Sequence, residues 1–263
     1  MLAFSSLLGN VEGQNIYRIW YDKPASYWEE ALPVGNGRIA AMVFGDPQLE
    51  QIQLNEETVS AGSPYQNYNE EAKAALPEMR RLIFEGKYEE AQNMAATKIL
   101  SQVGNEMPYQ TVGRLNIRYQ DHKKVNNYYR DLDISNAVAV TRYEVDGVEF
   151  TEETFASFTD QLVIRHIKAS KPGTINCELF FNTPMRDPKR SIYGKKGLRL
   201  EGITYGSRYF PGKVHYCADL DVKHKGGKVI TANDTLLSVQ GASELTLYIS
   251  MATNFVNYKD ISG

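Results

Sequence analysis

The chain is poor in the residues that build covalent or metal-bound frameworks. Of its 263 residues only two are cysteine, Cys177 and Cys217, and only four are histidine. Two cysteines make no disulfide scaffold, and neither has the companion spacing of a zinc site. His122, His166, His215 and His224 are widely separated and form no HxH or HExxH pattern, so no metal is expected. His166 and His215 fall within strand patterns and are expected to pack there. An excess of one charge is missing too: 29 basic against 32 acidic side chains leave a net charge of -3. That balance gives no electrostatic reason to expect nucleic acid or an anionic membrane as a partner. No apolar run approaches the roughly 20 residues needed to span a bilayer. No Gly-x-Ser-x-Gly elbow, P-loop or dinucleotide fingerprint is present, and Gly35-Asn36-Gly37 lacks the glycine and helix that would have to follow it, so neither phosphate binding nor a cofactor is expected.

What the chain does have is strand-forming sequence. At 42% hydrophobic over 263 residues it can bury a substantial core, and one large β-domain is the preferred reading. Tyrosine, at 17 residues, suits a sugar-stacking surface, but it also favours strands, and the sheet explanation takes precedence. The stretch 31–64 organises the rest. Two apolar runs flank Gly35-Asn36-Gly37, which tolerates positive φ and reverses the chain, leaving Arg38 at the start of the next strand. Residues 39–44 are apolar at every position and read as a buried strand at the centre of a sheet; Gly45-Asp46-Pro47 turns the chain into an alternating strand, 50–54. This meander delivers Asn55-Glu56-Glu57-Thr58 to its far end.

Before it, 16–21 alternates as a strand. The first residues, 1–15, are apolar and small without a basic head, and read either as a disordered terminus or as the remnant of an export signal. After Pro64 the period changes. Ala72, Ala75, Met79, Leu82 and Ile83, then Tyr88, Ala91, Met94, Ala95 and Ile99, recur at helical spacing, predicting two helices over 69–85 and 87–100 with Gly86 between them. Pro77 should kink or restart the first. From Tyr109 onward strands dominate: 115–119, 137–145, 148–158, 161–169, 174–182, 214–223, 228–231, 235–240 and 245–252, with Asp146-Gly147 as a strong hairpin signal. Residues 186–209 are polar and read as a long loop carrying a short strand near 198–201. The expectation is a mainly β fold, a large antiparallel β-sandwich or supersandwich with a short two-helix insertion. As domains, 16–263 form a single sandwich with the insertion at about 67–102.

A longer pattern runs through these elements. Tyr21-Asp22-Lys23-Pro24, Trp28, Ala31-Leu32-Pro33-Val34-Gly35-Asn36-Gly37-Arg38, Met42-Val43-Phe44-Gly45 and Ile52-Gln53-Leu54-Asn55-Glu56-Glu57-Thr58 resemble, in order and spacing, the N-terminal domain of glycoside hydrolase family 95, the α-L-fucosidase family. The resemblance continues through Arg80-Arg81-Leu82, Tyr88-Glu89-Glu90-Ala91, Tyr109-Gln110, Tyr129-Arg130, Phe155-Ala156-Ser157 and Asp160-Gln161 to Ala252-Thr253-Asn254-Phe255, almost the whole chain. It departs at Ser60-Ala61, where the family carries a tryptophan and a serine, and at Arg114, where an acidic residue is common. The resemblance implies an inverting, metal-independent hydrolase of fucosylated oligosaccharides or glycans, and the export-signal reading of residues 1–15 adds a periplasmic or secreted location. Its catalytic groups lie on a helical (α/α)6 barrel of the same polypeptide, and none is carried over here. What the resemblance leaves for this chain is a set of substrate-rim or domain-interface candidates: Trp28, Asn36, Arg38, Asn55, Glu56, Tyr109 and Gln110.

The residues themselves agree. Inverting glycosidases need two carboxyl groups facing each other across the scissile bond. Glu29-Glu30, Glu56-Glu57 and Glu152-Glu153 are adjacent, so on a strand the members of each pair point to opposite faces, and each is expected to be solvated. Two roles remain open: a non-catalytic domain that braces the barrel, or a carbohydrate-binding module. The first needs an unpartnered apolar face, the second an exposed aromatic platform.

Overall fold

The computed structural model describes residues 17–64, 66–101, 107–206 and 211–263. Strand β1 (Arg18–Tyr21) leads through a single 3-10 turn at Trp28–Glu30 into the meander β2 (Leu32–Gly35), β3 (Ile39–Val43) and β4 (Leu49–Glu56). Helix α1 (Ala72–Phe84) and helix α2 (Tyr88–Met94) follow, the second widening into a π-type turn at Ala95–Ile99. The remaining strands are β5 (Gly113–Tyr119), β6 (Val125–Asp133), β7 (Val138–Val145), β8 (Val148–Ser157), β9 (Leu162–Ala169), β10 (Ile175–Asn182), β11 (Arg186–Tyr193), β12 (Gly197–Ile203), β13 (His215–Lys225), β14 (Lys228–Asn233), β15 (Leu236–Ala242) and β16 (Glu244–Thr253). They form two antiparallel sheets, nine strands in the order β1-β6-β7-β8-β9-β16-β13-β12-β11 and seven in the order β14-β15-β10-β5-β4-β3-β2. This is the expected β-sandwich.

Alternation explains the layering. On the seven-stranded sheet Ile52, Leu54, Leu115, Ile117 and Leu179 point inward, and on the nine-stranded sheet Val163, Ile167, Leu220, Leu247 and Ile249 meet them, all fully buried. Each such side chain contributes about 1.5–3 kcal/mol by leaving water. Asp146 and Gly147 both take positive φ, 49° and 74°, the requirement of the tight turn that joins β7 to β8.

Several expectations fail for identifiable reasons. The 31–64 meander lies at one edge of the seven-stranded sheet, with β2 as the edge strand, and not at its centre. Its apolar run is buried on one face only, since Ala40 is exposed and Met42 half-buried. Residues 186–193, read as loop, form edge strand β11, almost wholly exposed and therefore without alternation to betray it. Its Arg, Lys and Pro188 are residues that edge strands tolerate, and a register shift falls between Arg186 and Lys189. β6 also escaped notice, because its inward residues include Arg130 and its outward ones Asp131 and Asp133, which hold Arg18 of β1. Helix α1 runs through Pro77 as one element, the lost bond being confined to the carbonyl one turn earlier. His215 is exposed, whereas His122, assigned to no element, is buried against Tyr119 and Phe150.

Glu152 is the sharpest correction. It lies between the sheets, 2% exposed, ion-paired to Arg165, which also donates to Glu50 Oε2 at 2.8 Å and to Thr154 Oγ1 at 2.8 Å. Tyr119 and Tyr143 donate to Glu152 Oε1 at 2.6 and 2.7 Å, and Glu50 Oε1 accepts the Phe44 and Gly45 amides. Burial, and after it Glu152, raises both phenols well above the ordinary tyrosine value. The cluster joins β4 of one sheet to β8 and β9 of the other. Arg165 is what makes two buried carboxylates tolerable there.

Candidate functional site

Three chain reversals meet at one end of the sandwich: the β2–β3 turn, the β8–β9 turn and the loop leaving β4. Gly37, at φ 95°, closes the first. Asn36 organises it, its side-chain oxygen accepting the Arg38 and Ile39 amides at 3.1 and 2.9 Å while its side-chain amide donates to the Ser157 carbonyl at 2.8 Å. Arg38 then reaches across the sheets. Its Nε donates to Gln161 Oε1 at 2.8 Å, and its Nη1 to the Met251 carbonyl at 3.2 Å and to Glu56 Oε1 at 3.4 Å. A planar fork reads three elements at once, which a lysine would not do.

Glu56 ends β4 and is buried, not solvated. Its Oε2 accepts the Thr58 amide and hydroxyl at 2.8 and 2.6 Å, and the Thr58 hydroxyl meets that of Thr253 at the end of β16. Tyr109 donates to the Glu56 carbonyl at 3.1 Å and forms a bridge with Ser60; it also shares a side-chain hydrogen bond with Asn55. Partial burial raises the Tyr109 phenol, and the bond to Asn55 works against that rise. Gln110 exchanges hydrogen bonds with the Tyr205 backbone, donating to its carbonyl at 2.9 Å and accepting from its amide at 2.8 Å. The structure thus brings Asn36, Arg38, Asn55, Glu56, Tyr109 and Gln110 into one neighbourhood. Trp28 stands apart. β2 pairs Leu32 with Val43 and Gly35 with Ala40, so the Trp28–Glu30 turn lies beyond the Val43 end of this hairpin and the Gly35–Gly37 turn at the other. The segment is held there by the Ala25 amide on the Phe44 carbonyl and by Arg130 Nη1 on the Glu30 carbonyl.

Sequence reasoning missed Thr58, Gln161, Thr253 and Tyr205 as members of this cluster. Thr58, Gln161 and Thr253 all stand in the family pattern quoted above, which was their one signal, and Gln161 takes a positive φ of 57° in the β8–β9 turn. Ser60 and Ala61, where the family pattern has its tryptophan and serine, line an apolar pocket of about 220 Å3 to which Phe255 and Tyr258 contribute from the far end of the chain. On the nine-stranded sheet, beside the β8–β9 turn, a more polar groove of about 440 Å3 opens over β9, β16 and β13. Among the described residues no cluster of His, Cys, Asp and Glu has metal-site geometry, and no helix is long and apolar enough to cross a membrane.

The sequence profile described as "Glycosyl hydrolase family 65, N-terminal domain" matches residues 19–258, nearly every described residue of the sandwich. The chain belongs to that family. Two relatives show the same region within longer proteins. "Alpha-L-fucosidase 2" of Arabidopsis thaliana is 32% identical over 271 residues, covering 93% of this chain and 31% of the relative. "Probable alpha-fucosidase A" of Aspergillus niger is 26% identical over 253 residues, covering 90% and 30%. This chain spans about a third of the length of these relatives. A solved "Putative kojibiose phosphorylase from human microbiome" aligns over 92% of the chain with a TM-score of 0.47 and 10% identity, too distant to bear on the argument. The sandwich seen here is therefore of the family 65 N-terminal type, and over nearly its whole length it is similar to part of two longer proteins named as alpha-fucosidases, in keeping with the resemblance to family 95.

Proposed function

We propose that this sandwich is the non-catalytic N-terminal domain of a periplasmic or secreted α-L-fucosidase, bracing a helical catalytic barrel and lending Asn36, Arg38, Asn55, Glu56, Tyr109 and Gln110 to its rim. The observation that carries the bracing role is the helical insertion. α1 and α2 pack chiefly on each other, burying Ala75, Leu82 and Ala91. They leave Phe84 88% and Tyr88 69% exposed at their shared turn. An apolar tip of that kind suits docking against a further domain, and the relatives, about three times as long as this chain, have the length for one.

The carboxylates singled out from the sequence support the non-catalytic reading. Glu152 belongs to the core, Glu30 accepts the Ser26 amide at 2.8 Å, and Glu56 spends both oxygens on Thr58 and Arg38. Each of these is already committed within the sandwich, whereas inversion requires a carboxyl pair facing each other across open space. The rim residues would act by holding loops still. Their hydrogen bonds run mainly to backbone atoms of neighbouring turns, so they set where those turns stand. A second reading, a module that binds glycan by itself, is favoured by one observation, the polar groove on the nine-stranded sheet.

The decisive experiment incubates this chain, and separately the full-length protein, with a fucosylated oligosaccharide, with and without a chelator. Turnover by the full-length protein alone, indifferent to chelator, is the expected result. Turnover by the 263-residue chain that disappears in Glu56→Gln would place catalysis in the sandwich and overturn the proposal.

A further inference from the structure

The groove beside the β8–β9 turn is made by one row of the nine-stranded sheet. Register places Ile164 of β9, Tyr248 of β16, Asp221 of β13, Gly197 of β12 and Tyr193 of β11 side by side on its outer face. Ser250 and Asp219 are partners in the next row. The two tyrosines stand three strand spacings apart, roughly 14 Å at about 4.8 Å per strand, the span of a short oligosaccharide and more than that of a single ring. Gly197 puts no side chain between Asp221 and Tyr193, and a Cβ there would strike the Leu220 and Tyr193 carbonyls and then, at 3.3 Å, the Tyr193 ring.

The polar groups are unevenly committed. Asp219 is held rigid by Arg199, which donates Nε to Oδ1 and Nη2 to Oδ2, both at 2.6 Å. Among the described residues the side chains of Asp221 and Ser250 have no hydrogen-bond partner, and the Lys223 ammonium rests over the Tyr248 ring at 4.9 Å without a carboxylate. The groove therefore offers one preorganised acceptor, one free acceptor, one free hydroxyl and one free donor beside the apolar edges of Ile164 and Tyr248. At its mouth lies Asp160, in the turn that Arg38 holds through Gln161.

The chemistry selects the occupant. Three carboxylates, Asp160, Asp219 and Asp221, against the two cations Lys223 and Arg199 leave one excess negative charge, which repels phosphates and other anions. A packed protein partner would require a core depleted of charge, and this face is rich in it. Sugar rings present an apolar C–H face and an edge of hydroxyls, the two surfaces that a tyrosine wall and carboxylate acceptors complement. We infer that the Tyr193–Tyr248 groove is a binding site for a short, neutral oligosaccharide, laid across β11 to β16. The inference deepens the glycan-binding reading above and does not depend on where hydrolysis occurs.

The test is titration of the isotopically labelled 263-residue chain with maltotriose, cellotriose and 2′-fucosyllactose at millimolar concentration, following backbone amide shifts. Expected are saturable shifts on β13 and β16 with at least one sugar, weakened about tenfold in Tyr248→Ala and in Asp221→Ala and retained in Tyr109→Ala. Asp221 is exposed, so its removal leaves the fold intact should Tyr248→Ala be unstable. No shift with any of the three sugars, shifts confined to the Tyr109 end, or shifts unchanged in both groove variants would each overturn the inference. Hydrolysis by the full-length protein is read separately, so the groove and the proposed catalytic arrangement can fail independently.

Discussion

Replacing Glu50 by glutamine takes one of the two negative charges away from Arg165 while keeping the shape of the inter-sheet cluster. In the native chain Glu50 is fully buried, and its pKa is pushed up to about 7, first by loss of water and further by Glu152, with Arg165 pulling the other way. An unfolded glutamate titrates near 4.3. Between about pH 4.3 and 7 the folded chain therefore holds one proton more than the unfolded chain, and stability falls as pH rises through that window. The sign is that of a raised carboxyl: its contribution is complete below the unfolded pKa and is lost as pH passes the folded one. With 1.36 kcal/mol per unit, the loss on going from acid to mildly alkaline pH is on the order of 4 kcal/mol. Glu50→Gln cannot titrate and leaves Arg165 paired with Glu152 alone, so its stability should be flatter over the same range. Urea midpoints of both proteins at several values between about pH 5 and 8 measure the difference, since stability scales with the midpoint when the slope is constant. Parallel curves would refute the reasoning. So would a variant several kcal/mol weaker at every pH, which would mean that the cluster needs Glu50 ionised.

Arg165→Met strands Glu50 and Glu152 without their cation and should cost about 3–5 kcal/mol at neutral pH, measured by the same denaturation; a loss below about 1 kcal/mol would show that the carboxylates shed their charge freely. Gly37→Val has no atom to strike within 4 Å of the new Cβ, so its expected cost of about 1–3 kcal/mol is purely that of a branched residue at φ 95°. A neutral result would mean the turn relaxes to another type. Arg38→Ala frees the β8–β9 turn from β3 and should speed amide exchange at residues 157–161 with a loss of about 1–2 kcal/mol; unchanged exchange there would dismiss Arg38 as the organiser of that end.

Much of the architecture was legible because one side of most strands faces the core. Alternation in 148–158, 161–169 and 245–252, and the Asp146-Gly147 turn, are local signals that the sandwich has no reason to override. The helical pair was equally plain, from apolar residues at a spacing that strands do not use. Legibility failed where the inward positions are not apolar. In β6 they include Arg130, whose charge is met by the Lys23 and Glu30 carbonyls and the face of Tyr21, partners a hundred or more residues away. In β11 only Ile192 reaches the core, and pairing to β12 holds the rest.

The same division runs through the candidate site. Asn36, Arg38, Glu56 and Tyr109 were identifiable as residues because a Gly-Asn-Gly turn and a polar segment at the exit of a strand are visible without coordinates. That Trp28 stands away from them was not, since chain order says nothing about which end of a hairpin a residue occupies once the strand doubles back. Glu152 shows the limit most clearly: its neighbours along the chain make it an ordinary surface carboxylate, and only Arg165 and Glu50 make it a buried one. The sequence by itself determined most of the strands, both helices and the main turns, because those choices depend on side chains within a few residues of one another. Which strand becomes an edge, which charges meet between the sheets and which residues share a groove were decided by the tertiary structure alone, because each depends on pairing between strands far apart in the chain, and pairing energy carries no local mark.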